Sequence, residues 1–123
     1  TKDEINTISD LIKDVHFIQS EFNESIKNVF DGDFVYLDPP YAPENRTSFV
    51  GYVANGFNLD MHAELFTEIK KLDEINCRFL MSNAKVEMVE EAFADFTRED
   101  IVARRAINSK KPGSKTKEVL IYN

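Results

Sequence analysis

The sequence predicts an α/β fold built on a largely parallel sheet. Short apolar runs bounded by turn residues alternate along the chain with longer stretches in which apolar residues recur every three or four positions. The succession strand, helix, strand, helix, strand belongs to a parallel sheet with crossover helices, which a final pair of strands would close in antiparallel fashion. The third observation is positional. The apolar run Phe34-Val35-Tyr36-Leu37 ends directly on Asp38-Pro39-Pro40-Tyr41, and open α/β sheets place their ligands at the carboxyl ends of such strands.

Residues 4–13 set Ile5, Ile8, Leu11 and Ile12 at helical spacing, with Asp3 as N-cap. Residues 15–19 read as a short strand. Residues 21–29 can make one or two further helical turns, broken by Asp31-Gly32-Asp33 ahead of the strand at 34–37. From Ala42 to Asn58 no period holds, and Pro, Asn, Gly, Ser and aromatics together describe a long functional loop. Asn58 can cap a helix reaching about Glu74, with Met61, Leu65, Ile69 and Leu72 as its apolar face and His62 toward solvent. Residues 77–81 form the next strand and 86–93 the next helix. Two further strands, 100–106 and 119–122, flank a basic loop.

The 123 residues suffice for one domain, and a hydrophobic content of 42% supports a buried core. No run approaches the roughly 20 apolar residues that span a bilayer. The single cysteine, Cys77, lies in an apolar strand and forms no internal disulfide, which fits a reducing, cytoplasmic setting. His16 and His62 stand far from Asp38 with no ligand spacing between them, so no metal is expected. The formal charge is −7, yet Arg104, Arg105, Lys110, Lys111, Lys115 and Lys117 follow one another with no acidic residue between them. One basic loop on an acidic body is either a solvated segment or a means of directing a polyanion to a single edge.

Asp38-Pro39-Pro40-Tyr41 carries the chemistry. Two consecutive prolines remove two N–H donors and fix φ, so the turn is stiff and its carbonyls are left as acceptors. Asp38 adds a carboxylate acceptor, and Tyr41 a flat aromatic face. This combination suits a planar base bearing an exocyclic amine, its N–H groups taken by acceptors and its ring stacked. The same four residues would also serve as a rigid loop in which Tyr41 covers a sheet edge.

The tetrapeptide, together with Ala42-Pro43, Ser48-Phe49, Tyr52, Ser82-Asn83, Arg104-Arg105-Ala106-Ile107-Asn108-Ser109 and Glu118-Val119-Leu120, resembles the C-terminal part of a Dam-type (D12 class) DNA adenine-N6 methyltransferase, from about residue 15 onward. The resemblance implies a Rossmann-like class I methyltransferase sheet in the order 3-2-1-4-5-7-6, in which residues 15–19 would be the third strand and 34–37 the fourth. The first strands and the glycine-rich turn of the methyl-donor site are not among the matched segments, because Gly32, Gly51, Gly56 and Gly113 occur singly and none directly follows an apolar strand. Residues 1–123 would then be a partial catalytic domain without a target-recognition insert. A complementary N-terminal half or a longer parent chain would complete it.

The resemblance further implies S-adenosylmethionine as donor and DNA as substrate. Asp38, Pro39, Pro40 and Tyr41 would be catalytic, the Asp38 carboxylate and the Pro39 carbonyl accepting the amine hydrogens while Tyr41 stacks. Glu21, Phe22 and Asp38 would contact the donor. Arg46, Ser48, Phe49, Tyr52, Arg105, Asn108, Ser109, Lys110, Lys111 and Lys115 would meet DNA, the lysines at phosphates. Other readings of the same pocket are a cytosine-N4, RNA-base or protein-glutamine methyltransferase, and a non-catalytic remnant that binds DNA or its complementary half. Asp at the first position of the tetrapeptide favours adenine within this family group.

Overall fold

The computed structural model describes residues 1–43, 56–104 and 115–123. Four strands, β1 (Phe34–Leu37), β2 (Arg78–Ala84), β3 (Thr97–Arg104) and β4 (Lys115–Tyr122), form one sheet in the order β1-β2-β4-β3. β1 and β2 are parallel, with Val35 opposite Phe79 and Leu37 opposite Met81. β4 lies between β2 and β3 and is antiparallel to both. The expected antiparallel pair therefore exists, and its second member also takes the place beside β2. This is the order 4-5-7-6 of the sheet that the resemblance implies.

Among the described residues four helices accompany the sheet: α1 (Lys2–Leu11), α2 (Phe22–Ile26), α3 (Leu59–Glu74) and α4 (Glu87–Ala92). Parallel neighbours need a long crossover, and α3 supplies it. The Asn58 side chain caps α3 by accepting the Met61 N–H at 2.8 Å. Leu65, Phe66, Ile69 and Leu72 form the buried stripe, set against Phe79 and Met81 of β2 and Val119 and Ile121 of β4. Each large side chain withdrawn from water there contributes about 1.5–3 kcal/mol. α4 adds Val89 to the same core, and Phe93 just beyond it meets Phe66 edge-on at 5.0 Å. Asn76, in the left-handed region at φ 58°, turns the chain from α3 into β2, and its side chain donates to Asp31 at 2.7 Å.

The layer is one-sided. Phe34 and Tyr36 of β1 point away from the helical core and are 66% and 57% exposed, and the outer edge of β1 pairs with no described strand. α1 buries none of its residues. None of the helices among the described residues is long and apolar enough to cross a membrane.

Several elements differ from the sequence expectation. Residues 15–19 form no strand, because a strand needs a neighbour and none is at hand; Phe17 and Ile18 are 77% and 81% exposed. The N-cap of α1 is Thr1, not Asp3: Thr1 Oγ1 accepts the Glu4 N–H at 3.3 Å, and the Glu4 side chain returns to the cap. β3 begins at Thr97 rather than 100, and β4 extends back to Lys115 because pairing with β3 continues to Arg104. His62 does not face solvent. It shares the i, i+3, i+4, i+7 stripe of Leu65, Phe66 and Ile69, and is fully buried.

The His62 ring lies edge-on to Phe57 at 4.7 Å and 5.9 Å from Phe66. Neither ring nitrogen has a hydrogen-bond partner among the described residues, and burial pushes the imidazole pKa below its ordinary value. The folded state therefore resists protonation of the ring relative to the unfolded chain, which takes up a proton near pH ~6.5. Stability is complete above that value and should fall as pH drops beneath it, since the unfolded state then binds the extra proton. The loss of urea midpoint between about pH 7.5 and about pH 5.5 should be smaller in His62→Leu than in the parent protein. Equal losses in both would show that His62 does not cause the acid sensitivity.

Candidate active site

The parallel register of β1 and β2 ends with Leu37 opposite Met81, so the residues that follow, Asp38 and Ser82, emerge side by side. Ser82 Oγ donates to Asp38 Oδ1 at 2.7 Å, and the Tyr36 hydroxyl lies 3.4 Å from the same serine oxygen. The carboxylate keeps its second oxygen and remains exposed at the strand end. Pro39 and Pro40 hold the turn, and the Pro39 carbonyl accepts no hydrogen bond from a described residue.

The chain leaving the turn is held from β2. Asn83 Oδ1, fully buried, accepts the Ala42 N–H at 2.9 Å and the Ala84 N–H at 2.8 Å. Between these anchors Tyr41 is half-buried and donates its hydroxyl to Glu118 Oε2 of β4 at 3.1 Å. Burial pushes the phenol pKa upward; Ser82 works against the rise, and the Glu118 and Asp38 carboxylates add to it. The hydroxyl thus keeps its proton at neutral pH.

Beneath the turn is an open cavity of about 340 Å³. Val35 and Leu37 of β1, Leu65 of α3, and Phe22, Ile26 and Val29 give it apolar walls, while Asp38, Pro39 and Pro40 stand at its rim. Phe22 and Phe57 meet across one side with ring centroids 5.7 Å apart. Phe22 and Asp38, both assigned from sequence to the methyl donor, therefore line one cavity. Glu21 does not line it. That residue is the exposed N-cap of α2, and its side chain makes no capping bond.

Arg46, Ser48, Phe49, Tyr52, Arg105, Asn108, Ser109, Lys110 and Lys111 lie outside the described residues, as does the side chain of Lys115, which opens β4. Ser82 and Asn83 lie within β2, where Ser82 meets Asp38 and Asn83 is buried against the Ala42 N–H. Sequence reasoning did not find Glu118, Tyr36 or Phe57. For Glu118 a signal existed: a lone carboxylate in the apolar run of a central strand is costly unless something engages it.

A strand-end acceptor turn over an apolar cavity, on a mixed sheet ordered β1-β2-β4-β3, defines an α/β protein of the methyltransferase type. Residues 1–107 match the family model of D12 class N6 adenine-specific DNA methyltransferases, and the chain belongs to that family. It is 33% identical to the Type II methyltransferase M1.LlaDCHI of Lactococcus lactis subsp. cremoris, over 99% of this chain and 44% of that protein. It is 34% identical to the Type II methyltransferase M.MjaIII of Methanocaldococcus jannaschii, over 97% and 43%. The DNA adenine methylase of Escherichia coli K12 is 28% identical over 86% and 38%. The chain spans less than half the length of these relatives.

Replacing Asn83 tests the anchoring of the turn. Asn83→Ala strips the buried Ala42 N–H of its acceptor, and should cost about 1–3 kcal/mol. Urea unfolding should show a lower midpoint at unchanged slope; an unaltered midpoint would mean that the turn is held by other means.

Proposed function

We propose that this chain is the catalytic part of a DNA methyltransferase that moves a methyl group from S-adenosylmethionine to the N6 amine of an adenine extruded from the duplex. The observation that carries the reading is the exposed Asp38 carboxylate, oriented by Ser82 beside a Pro39 carbonyl that no described residue engages, at the rim of an aromatic-walled cavity. Adenine N6 is a poor nucleophile because its lone pair is delocalised into the ring. Two acceptors that take both amine hydrogens favour a more tetrahedral nitrogen and aim its lone pair. Asp38 and the Pro39 carbonyl would be those acceptors, and the Tyr41 ring would stack on the base. The cavity suits a donor with an adenine ring and a positively charged sulfur: Phe22 and Phe57 offer aromatic faces, and Asp38 is the one acid among its described lining residues. When bound, the donor supplies an electrophilic methyl carbon. The residues assigned to DNA in the 46–52 and 105–115 segments remain part of the proposal, as backbone and base contacts around the extruded nucleotide.

In the complete enzyme, Asp38→Ala should lower methyl transfer at least about a hundredfold while DNA affinity changes little. Tyr41→Ala removes the stacking face, worth roughly 1–3 kcal/mol per base, and should lose far more activity than Tyr41→Phe, which keeps it. Near-normal turnover by Asp38→Ala would overturn the assignment of the acceptor.

We also propose that the functional sheet contains strands beyond these four. The edge of β1 that no described strand pairs, the exposed Phe34 and Tyr36, residues 15–19 without a strand partner among the described residues and the unburied apolar face of α1 support that reading, since uncovered edges and apolar faces of this kind are completed by further chain or self-associate. Calorimetry should show no measurable donor binding by residues 1–123 alone, and binding once an N-terminal segment with a Phe-x-Gly-x-Gly turn is supplied in cis or in trans. Tight binding by a monomer of this chain alone would sink the idea.

A further inference from the structure

We propose that Glu118 is a positioning residue for the transfer reaction: its carboxylate anchors the Tyr41 hydroxyl, and thereby the place and tilt at which the ring meets the extruded base. The inference rests on the function proposed above and adds to it a residue that none of the Asp-Pro-Pro-Tyr chemistry requires. Glu118 sits on β4, the strand flanked by β2 and β3, with Ala84 and Ile101 as its lateral neighbours. Its face of β4 continues with Leu120 and Tyr122, and glutamate is a poor residue for the middle of a sheet. No described cation pairs with its carboxylate. Its described partner is the Tyr41 hydroxyl, at 3.1 Å and 77 residues away in sequence.

A tyrosine that stacks on a base needs its ring held about two torsions, χ1 and χ2. The backbone that carries the ring is fixed, because Asn83 pins the next residue and Pro40 restricts the previous one. A hydrogen bond from the para hydroxyl to a fixed acceptor holds the far end of the ring and so narrows χ1; the hydroxyl oxygen lies on the χ2 axis, so the broad χ2 of an aromatic side chain is biased only through the preference of the phenol O–H for the ring plane. Bonds to an ionised acceptor are shorter and stronger than neutral ones. The strand holding Glu118 is gripped on both sides, so the acceptor is preorganised before a base arrives.

The test uses the complete methyltransferase containing this chain, assayed on a duplex carrying its target adenine and on one with 2-aminopurine at that position. Glu118→Val, which keeps a strand-forming residue, should lower kcat about tenfold, hold KM for DNA within about twofold, and raise the fluorescence of the extruded, poorly stacked base. Glu118→Gln retains an acceptor and should restore kcat to within about twofold of the parent. Tyr41→Phe should lose about as much as Glu118→Val, and adding Glu118→Val to Tyr41→Phe should cost nothing more. Additive losses, full activity of Glu118→Val, or a Gln variant as slow as the Val variant would each overturn the positioning role. If Glu118→Val fails to fold, full activity of Tyr41→Phe overturns it equally well. Asp38→Ala, run beside these, separates the two levels: an active Asp38→Ala refutes the proposed chemistry, whereas an inactive one with an unaffected Glu118→Val refutes only the part given to Glu118.

Discussion

Everything at the site depends on β1 and β2 running parallel in one register. Because Leu37 stands opposite Met81, the first residues past that pair, Asp38 and Ser82, meet at hydrogen-bond distance and the acceptor turn begins beside a strand that can hold it. A shift of one residue would turn Ser82 to the opposite face and Met81 toward the carboxylate. The register is secured from the helical side. Val35, Leu37, Phe79 and Met81 all contribute to the core under α3, so slippage would expose the same side chains that Leu65, Ile69 and Leu72 now cover.

β4 ties a second part of the molecule to that arrangement. By entering between β2 and β3 it supplies Val119 and Ile121 to the core on one face, and on the other presents Glu118 to Tyr41. The turn is therefore braced by neighbouring residues of one strand, Ser82 and Asn83, and by one residue of another. The opposite condition holds on the outer side of β1, where no described element pairs or packs. The braced end and that outer edge belong to the same strand, so the further strands proposed above would abut the strand that carries the acceptor turn.

The elements legible in the sequence were those whose signals are local. Asn58 capping α3, the Phe34–Leu37 strand and the breaker before it follow from side-chain chemistry within a few residues. Residues 15–19 have the composition of a strand, but pairing is a property of neighbours, and here there is none. His62 was misplaced because a polar residue was assigned to the polar face, whereas the stripe of Leu65, Phe66 and Ile69 includes it by position. Phe22 and Asp38, to which the family resemblance assigns contact with the donor, line one cavity. Glu118 carried a signal as a lone carboxylate in an apolar run, but its partner and that of Tyr36 were not legible, since these contacts join residues 77 and 46 positions apart.

The braces also suit the chemistry proposed for the site. A reaction that begins by removing a proton from its nucleophile needs a base whose pKa is tuned to the working pH. An aromatic amine attacking a sulfonium methyl needs instead that its hydrogens be held and its lone pair aimed, and its proton becomes acidic only as the new bond forms. Acceptors of fixed direction serve that need better than mobile ones, because their orientation is set during folding and not at the moment of reaction. The turn has this character throughout: prolines restrict its backbone, Asn83 holds the chain beyond it, Ser82 directs the carboxylate and Glu118 holds the aromatic ring. For the proposed methyl transfer, the stability invested in the β1–β2–β4 junction and the orientation required of the amine are thus set by the same few hydrogen bonds.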